Sequence, residues 1–264
     1  MTPIKIEDIE KSSLEDIEGL CIPERISDDP HLIEGSFLWR KWAMKNLDEF
    51  SSIGKVAYQD SKIKGMIQYV PKKDQNIVKI KCIFSEEDDL GIRNALLEET
   101  IKEFEKPKRS FKGKKAEALI TLPCPSPNSM DDIDFYKGYG FKPLNGENIL
   151  YYPLKDDLAV NRSLNLSDDP PIKETEKDKA LILCNSHCPY CVKEMMETFE
   201  ELKKVDSDMP VKLVVSFDEP ERFSPVFSMP LCLVVNGTSI GFSTKDNVDF
   251  VKEMNKVLDK EKQH

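Results

Sequence analysis

Two α/β modules joined by a polar linker are what this 264-residue sequence predicts. Short apolar runs of strand length alternate with longer stretches of helical period. Residues 156–178 show no sustained period and contain Pro170-Pro171, as a linker does. Near the C-terminal end, Asn236-Gly237 stands between two apolar runs, the strongest short-range hairpin signal. The expected division is therefore 1–155, linker 156–178 and 179–264.

In the first module Ile4–Glu7 reads as a short strand and Ser13–Leu20 as a short acidic helix. Pro30–Phe50 is helical, with Phe37, Leu38, Trp42 and Leu47 available for one apolar face. Lys55–Gln59 and Lys62–Val70 read as strands around a turn at Asp60-Ser61, and Ile77–Phe84 as a third. Gly91–Phe104 is a helix whose Ile92, Ala95, Leu96 and Phe104 lie apart from a charged face. Ala116–Leu122 is a strand, Asp131–Gly138 a helix, and Lys142–Leu154 supplies one or two closing strands. The second module runs strand Lys179–Cys184, helix Tyr190–Val205, strand Val211–Phe217, an irregular stretch, the hairpin Leu231–Val235 with Ser239–Phe242, and helix Lys245–Lys260.

Composition narrows the function. The chain carries 38 Lys and Arg against 48 Asp and Glu, a net charge of -10, so it lacks the cationic excess that nucleic-acid binding requires. No run approaches the roughly 18 apolar residues that span a bilayer, so no membrane partner is expected. The start, Met-Thr-Pro-Ile-Lys-Ile-Glu-Asp, has neither the positive flank nor the apolar core of a secretory signal, and a cytoplasmic location is expected. Seven cysteines without secretory context predict reduced thiols rather than a disulfide scaffold.

The most specific chemistry is Cys188-Pro189-Tyr190-Cys191, two thiols within one turn at the start of a helix. Unpaired N–H groups and the partial positive charge there favour a thiolate. Half a zinc site would look the same, yet no second ligand pair exists, and Cys184 and His187 are too close in sequence for ordinary finger spacing. No metal is expected. His187 reads as an exposed turn histidine, or as a charge that lowers the neighbouring thiol pKa. Cys184 reads as structural, at the end of a buried strand. Motif and element order together resemble the thioredoxin/glutaredoxin fold. The resemblance implies a cis bond at Met229-Pro230 facing the thiols, Cys188 as attacking thiolate and Cys191 as resolving thiol. Phe217–Met229 is short for the helix that family places there.

The first module's order, with Ile80–Phe84 running into Leu90-Gly91-Ile92-Arg93-Asn94 and the ending Phe135-Tyr136-Lys137-Gly138-Tyr139-Gly140-Phe141, resembles the GCN5-related N-acetyltransferase (GNAT) fold. The resemblance implies acetyl-CoA as cofactor. Its pyrophosphate would lie on the N–H groups of Gly91, Ile92, Arg93 and Asn94, and its acyl carbonyl against the strand at Ile83 and Phe84. Tyr136 would be the acid that protonates the departing thiolate, and its alternative reading is an aromatic packed on the sheet. Glu86-Glu87-Asp88-Asp89 sets four carboxylates near the pyrophosphate position, which Arg93 could offset, or forms a solvated helix start. Glu34 and Glu147 are candidate bases. The two modules together resemble YoaP-type acetyltransferases. An amine acceptor, small molecule or protein, follows from that resemblance, with the Cys pair serving redox control, substrate capture or a thiol partner. A thiol–disulfide oxidoreductase whose first module only binds a partner is the alternative.

Overall fold

In the computed structural model the described residues are 3–86, 90–123, 133–144, 149–155, 172–223, 231–240, 250–252 and 254–257. They form two units, one of Met1–Ser27 with Arg40–Asn165, the other of Asp28–Trp39 with Leu166–His264.

The first unit is built on a seven-stranded mixed sheet in the order β1-β2-β3-β4-β5-β7-β6. β2 (Gly54–Gln59), β3 (Lys62–Lys72) and β4 (Ile77–Ser85) form an antiparallel meander, and β1 (Lys5–Asp8) pairs antiparallel to β2. Asp60 and Ser61 both take the left-handed conformation that the tight β2–β3 turn demands. β5 (Ala118–Thr121) lies parallel to β4, and β7 (Leu150–Pro153) and β6 (Lys142–Pro143) close the edge.

Helix α3 (Leu90–Phe104) makes the β4–α3–β5 crossover. It buries Ile92, Leu96, Leu97, Ile101 and Phe104 against Ile67, Tyr69, Val78, Ile80 and Ile83 of the sheet. Gly65 sets how closely it lies. A Cβ there would stand 2.6 Å from Ile92 Cγ2 and 2.8 Å from the Phe84 carbonyl oxygen. At the far end of α3 a polar knot replaces apolar packing. Glu103 takes Lys55 at 2.6 Å and Lys108 at 2.6 Å, while Tyr69 donates to it at 3.1 Å. Burial opposes the charge of Glu103, but these lysines hold its carboxyl below the usual value. Helix α1 (Leu14–Cys21) precedes α2 (Pro30–Phe50), and α4 (Ile133–Gly138) precedes β6.

The second unit is a four-stranded sheet, β11-β10-β8-β9, with β8 (Ala180–Cys184) at its centre. β9 (Val211–Val215) is parallel to β8, and β10 (Leu231–Val235) is antiparallel and turns into β11 (Thr238–Ile240). Both turn residues, Asn236 and Gly237, have positive φ, as the Asn-Gly pair predicts. β8 is apolar throughout because both faces are covered. Ala180, Ile182 and Cys184 pack with Val192, Met195 and Leu202 of helix α5 (Pro189–Val205). Leu181 and Leu183 pack with Val214, Phe223 and Val234 on the opposite face. Residues 250–252 and 254–257 are helical and bury Phe250 and Met254 against the α5 side.

Within the span read as linker, Glu174–Glu176 is a turn of 3-10 helix, and Glu176 is buried in an ion pair with Arg222. Within the span read as the first module, Asp28–Trp39 groups with the second unit.

Candidate functional site

The first candidate site lies where β4 outruns β5. β4 pairs with β3 along its whole length, from Ile77 opposite Lys72 to Ser85 opposite Gly65. Its parallel pairing with β5 ends at Ile80 opposite Thr121. A bulge marks the place. Gln68 faces Cys82 while Tyr69 faces Ile80, which leaves Lys81 as the extra residue. A bulge bends its strand and increases local twist, turning the end of β4 away from its parallel neighbour. Among the described residues no strand pairs with β4 over 81–85 on that side. An extended ligand with amide groups can take hydrogen bonds from such an edge, as an added strand does.

Ile83 is fully buried on the α3 side of this segment, and Phe84 is half-buried and opposite Met66. At the start of α3, Gly91 is exposed, Asn94 half-buried, and Ile92 and Arg93 buried. The Arg93 guanidinium stacks on Phe135, 4.5 Å from the ring centroid, so its charge is engaged with α4. Of the acidic run, Glu86 is ion-paired with Lys64. Glu87, Asp88 and Asp89 lie outside the described residues, as does Glu147. Glu34 is exposed on α2.

Tyr136 is fully buried in the cluster that holds Ile83 and Ile92. Its ring packs edge-on against Phe135 and Phe141, each at 5.2 Å, and Phe141 reaches Tyr152 at 5.4 Å. The chain reverses through Gly140, at φ +89°, so that the Phe141 N–H donates to the Tyr136 carbonyl at 3.2 Å. Tyr139 donates to Glu98 at 3.2 Å, and burial with that carboxylate pushes its phenol up to about 12. The aromatic ending is thus a ladder of rings tying α4 to α3 and β7.

The second candidate site is the start of α5. Cys188 is its N-cap, Pro189 its first residue, and Cys191 is buried one turn on. The Cys191 thiol and the backbone N–H groups of Cys191 and Tyr190 bond Cys188 and hold it below the ordinary thiol value, against burial and Glu194. Cys184 is pushed far up by desolvation and the nearby Cys188, as an inert structural thiol is. His187 is not an exposed turn residue. It is 9% exposed, in a buried stretch with Asn185 and Ser186, where the Ser186 N–H donates to Ser216 Oγ at 3.2 Å. Met229-Pro230 lies outside the described residues.

Sequence reasoning did not find the Lys81 bulge or the neighbouring Lys79. The latter is wholly buried within β4, where desolvation, with Lys81 and Lys72 nearby, drives its amine well below the ordinary value. Lys79 inside the apolar run Ile77–Ile80 was the available signal. Among the described residues no three His, Cys, Asp or Glu side chains gather as metal ligands, and no helix is long and apolar enough to cross a membrane.

The chain matches no known family model and no curated protein. Among solved structures it is similar to PH1933 from Pyrococcus horikoshii OT3, at 17% identity over 59% of this chain and 100% of that one, TM-score 0.42. It is also similar to the ribosomal-protein-S18-alanine N-acetyltransferase from Escherichia coli, at 16% identity over 60% and 97%, TM-score 0.39. A GNAT family acetyltransferase from Brucella melitensis in complex with acetyl-CoA aligns at 13% identity over 60% and 92%, TM-score 0.38.

Proposed function

We propose that the first unit transfers an acyl group from acetyl-CoA to an amine, and that the second carries a thiol–disulfide exchange site, as in a GNAT-like module joined to a thioredoxin-like one of the YoaP type. The observation that carries the first reading is the open edge of β4 after the Lys81 bulge, immediately before the start of α3. An extended arm bearing amides fits that edge, and helix-terminal N–H groups at Gly91 and Ile92, with Arg93 and Asn94 following in the same turn, suit a pyrophosphate. In this reading a β4 N–H near Ile83 or Phe84 polarises the thioester carbonyl, and the amine attacks its carbon. The thiolate leaves and takes a proton from Tyr136, while the amine loses its own to a base. The acceptor is a small-molecule or protein amine.

Acetyl-CoA turnover with a panel of amines, followed by free thiol release, tests this. Tyr136→Phe is expected to lower kcat about 10²–10⁴-fold with KM for acetyl-CoA little changed. Unchanged kcat in a folded variant removes Tyr136 from the chemistry, and no turnover by the unaltered chain removes the activity.

The second reading rests on Cys188, whose neighbours stabilise its thiolate, beside buried Cys191. The β8–α5–β9 crossover and the β10–β11 hairpin supply the sheet order expected of a thioredoxin-like module. Cys188 is expected to react with iodoacetamide faster at neutral pH than half-buried Cys21, and equal rates would count against it.

A further inference from the structure

We propose that residues Asp28–Trp39 form a fixed wall beside Cys188 that admits small-molecule disulfides and excludes protein disulfides. The inference rests on the thiol-exchange reading above and names its substrate class.

These residues belong to the second unit, and three contacts fasten them along α5. Asp29 accepts the N–H groups of His31 and Leu32 at 2.9 and 3.2 Å, capping α2, and its other oxygen takes Lys193 at 2.5 Å. His31 Nε2 lies 3.2 Å from Glu200. Nearer the start of α5, backbone meets backbone at Gly35. A Cβ at that position would stand 2.4 Å from the Pro189 carbonyl oxygen and 2.9 Å from its Cα. Glycine is unfavourable inside a helix, and here it is what lets the two helices touch. Leu38 and Cys188 both pack against the buried cluster that holds Cys191 and Val192.

The contact falls on the residue next to the half-buried Cys188. A helix with its side chains is about 10–12 Å across, so it stands as a barrier on the Pro189 side of the sulfur. Exchange requires the Cys188 thiolate to attack one sulfur of a disulfide RSSR, giving a mixed disulfide and RS⁻. The Cys191 thiol, losing its proton to solvent, then attacks the Cys188 sulfur and expels the second RS⁻. The protein dithiol is oxidised and RSSR is reduced to two thiols. A small RSSR has few atoms flanking its sulfurs, whereas a protein disulfide brings chain on both sides and meets the helix. Specificity here comes from a clash with the wrong partner.

The test measures Cys188–Cys191 oxidation in the reduced full chain by 2-hydroxyethyl disulfide and by insulin, each rate divided by that of dithiothreitol with the same oxidant. The unaltered chain is expected to favour the small disulfide by roughly tenfold or more. Gly35→Ala, which keeps helix propensity but forces the two backbones apart, is expected to raise the insulin rate about tenfold and leave the small-disulfide rate within about twofold. The double variant Asp29→Ala/Lys193→Ala loosens the same wall without a clash and serves if Gly35→Ala does not fold. Equal normalised rates in the unaltered chain, or no gain with insulin in the variants, overturn the wall. Failure of all these proteins to react with either oxidant overturns the thiol-exchange reading itself.

Discussion

Glu176 and Glu219 share two cations in the second unit, and Glu219 takes a third. Glu176 binds Arg222 and Lys212, the latter at 2.9 Å, and Glu219 binds Lys212 at 2.7 Å, Lys173 at 2.9 Å and Arg222 at 2.8 Å. Arg222 is 1% exposed, so its charge depends on these carboxylates. Burial opposes the charge of Glu176, but Arg222 and Lys212 bring it to about 2; Lys212 and Lys173 bring Glu219 to about 2. Carboxyls depressed by folding stabilise the folded state above their unfolded pKa of about 4.3, and that contribution disappears as pH falls toward 2. Chemical denaturation from pH 7 down to 2 should therefore show stability falling across that acid window. Glu176→Gln should cost about 3–5 kcal/mol at neutral pH, as breaking a buried pair does, and flatten the acid dependence. A similar residue-scale economy governs Gly140, whose left-handed φ makes the reversal that joins Tyr136 to Phe141.

At the scale of elements, the candidate acyl-transfer site depends on two features of the β3–β4–α3 layer: the bulge that parts β4 from β5, and the close seat of α3 over Gly65. Gly65→Ala must move Ile92 and the Phe84 carbonyl, so it should cost about 1–3 kcal/mol in thermal or denaturant unfolding. A neutral substitution would mean the layer is looser than the geometry implies. The bounds of α2, Pro30–Phe50, are legible because proline suits a helix start and apolar residues recur at helical spacing. What its first turns touch is not legible, since Asp29 and Lys193 are 164 residues apart. The β10–β11 hairpin is readable from Asn-Gly alone, because both turn residues need positive φ. The bulge leaves no mark, since Ile80-Lys81-Cys82 alternates like any strand. His187 reads as a loop residue, yet it is buried together with Asn185 and Ser186, which its place in a polar turn does not announce.

At the scale of the whole molecule, the two proposed chemistries fall on separate units, with Tyr136 and the β4 edge in one and Cys188 and Cys191 in the other. The thiol pair was visible as a motif of four residues. The candidate acyl-transfer site is legible only as an order of elements and an aromatic ending, because the edge proposed to bind is made of backbone rather than of distinctive side chains. The acetyl-CoA reading is therefore the one that most needs a direct measurement. Isothermal titration of acetyl-CoA into the full chain should give saturable binding at one site, with a dissociation constant between about 1 μM and 1 mM. Absence of saturable heat at acetyl-CoA concentrations of several times the upper end of that range would contradict the account.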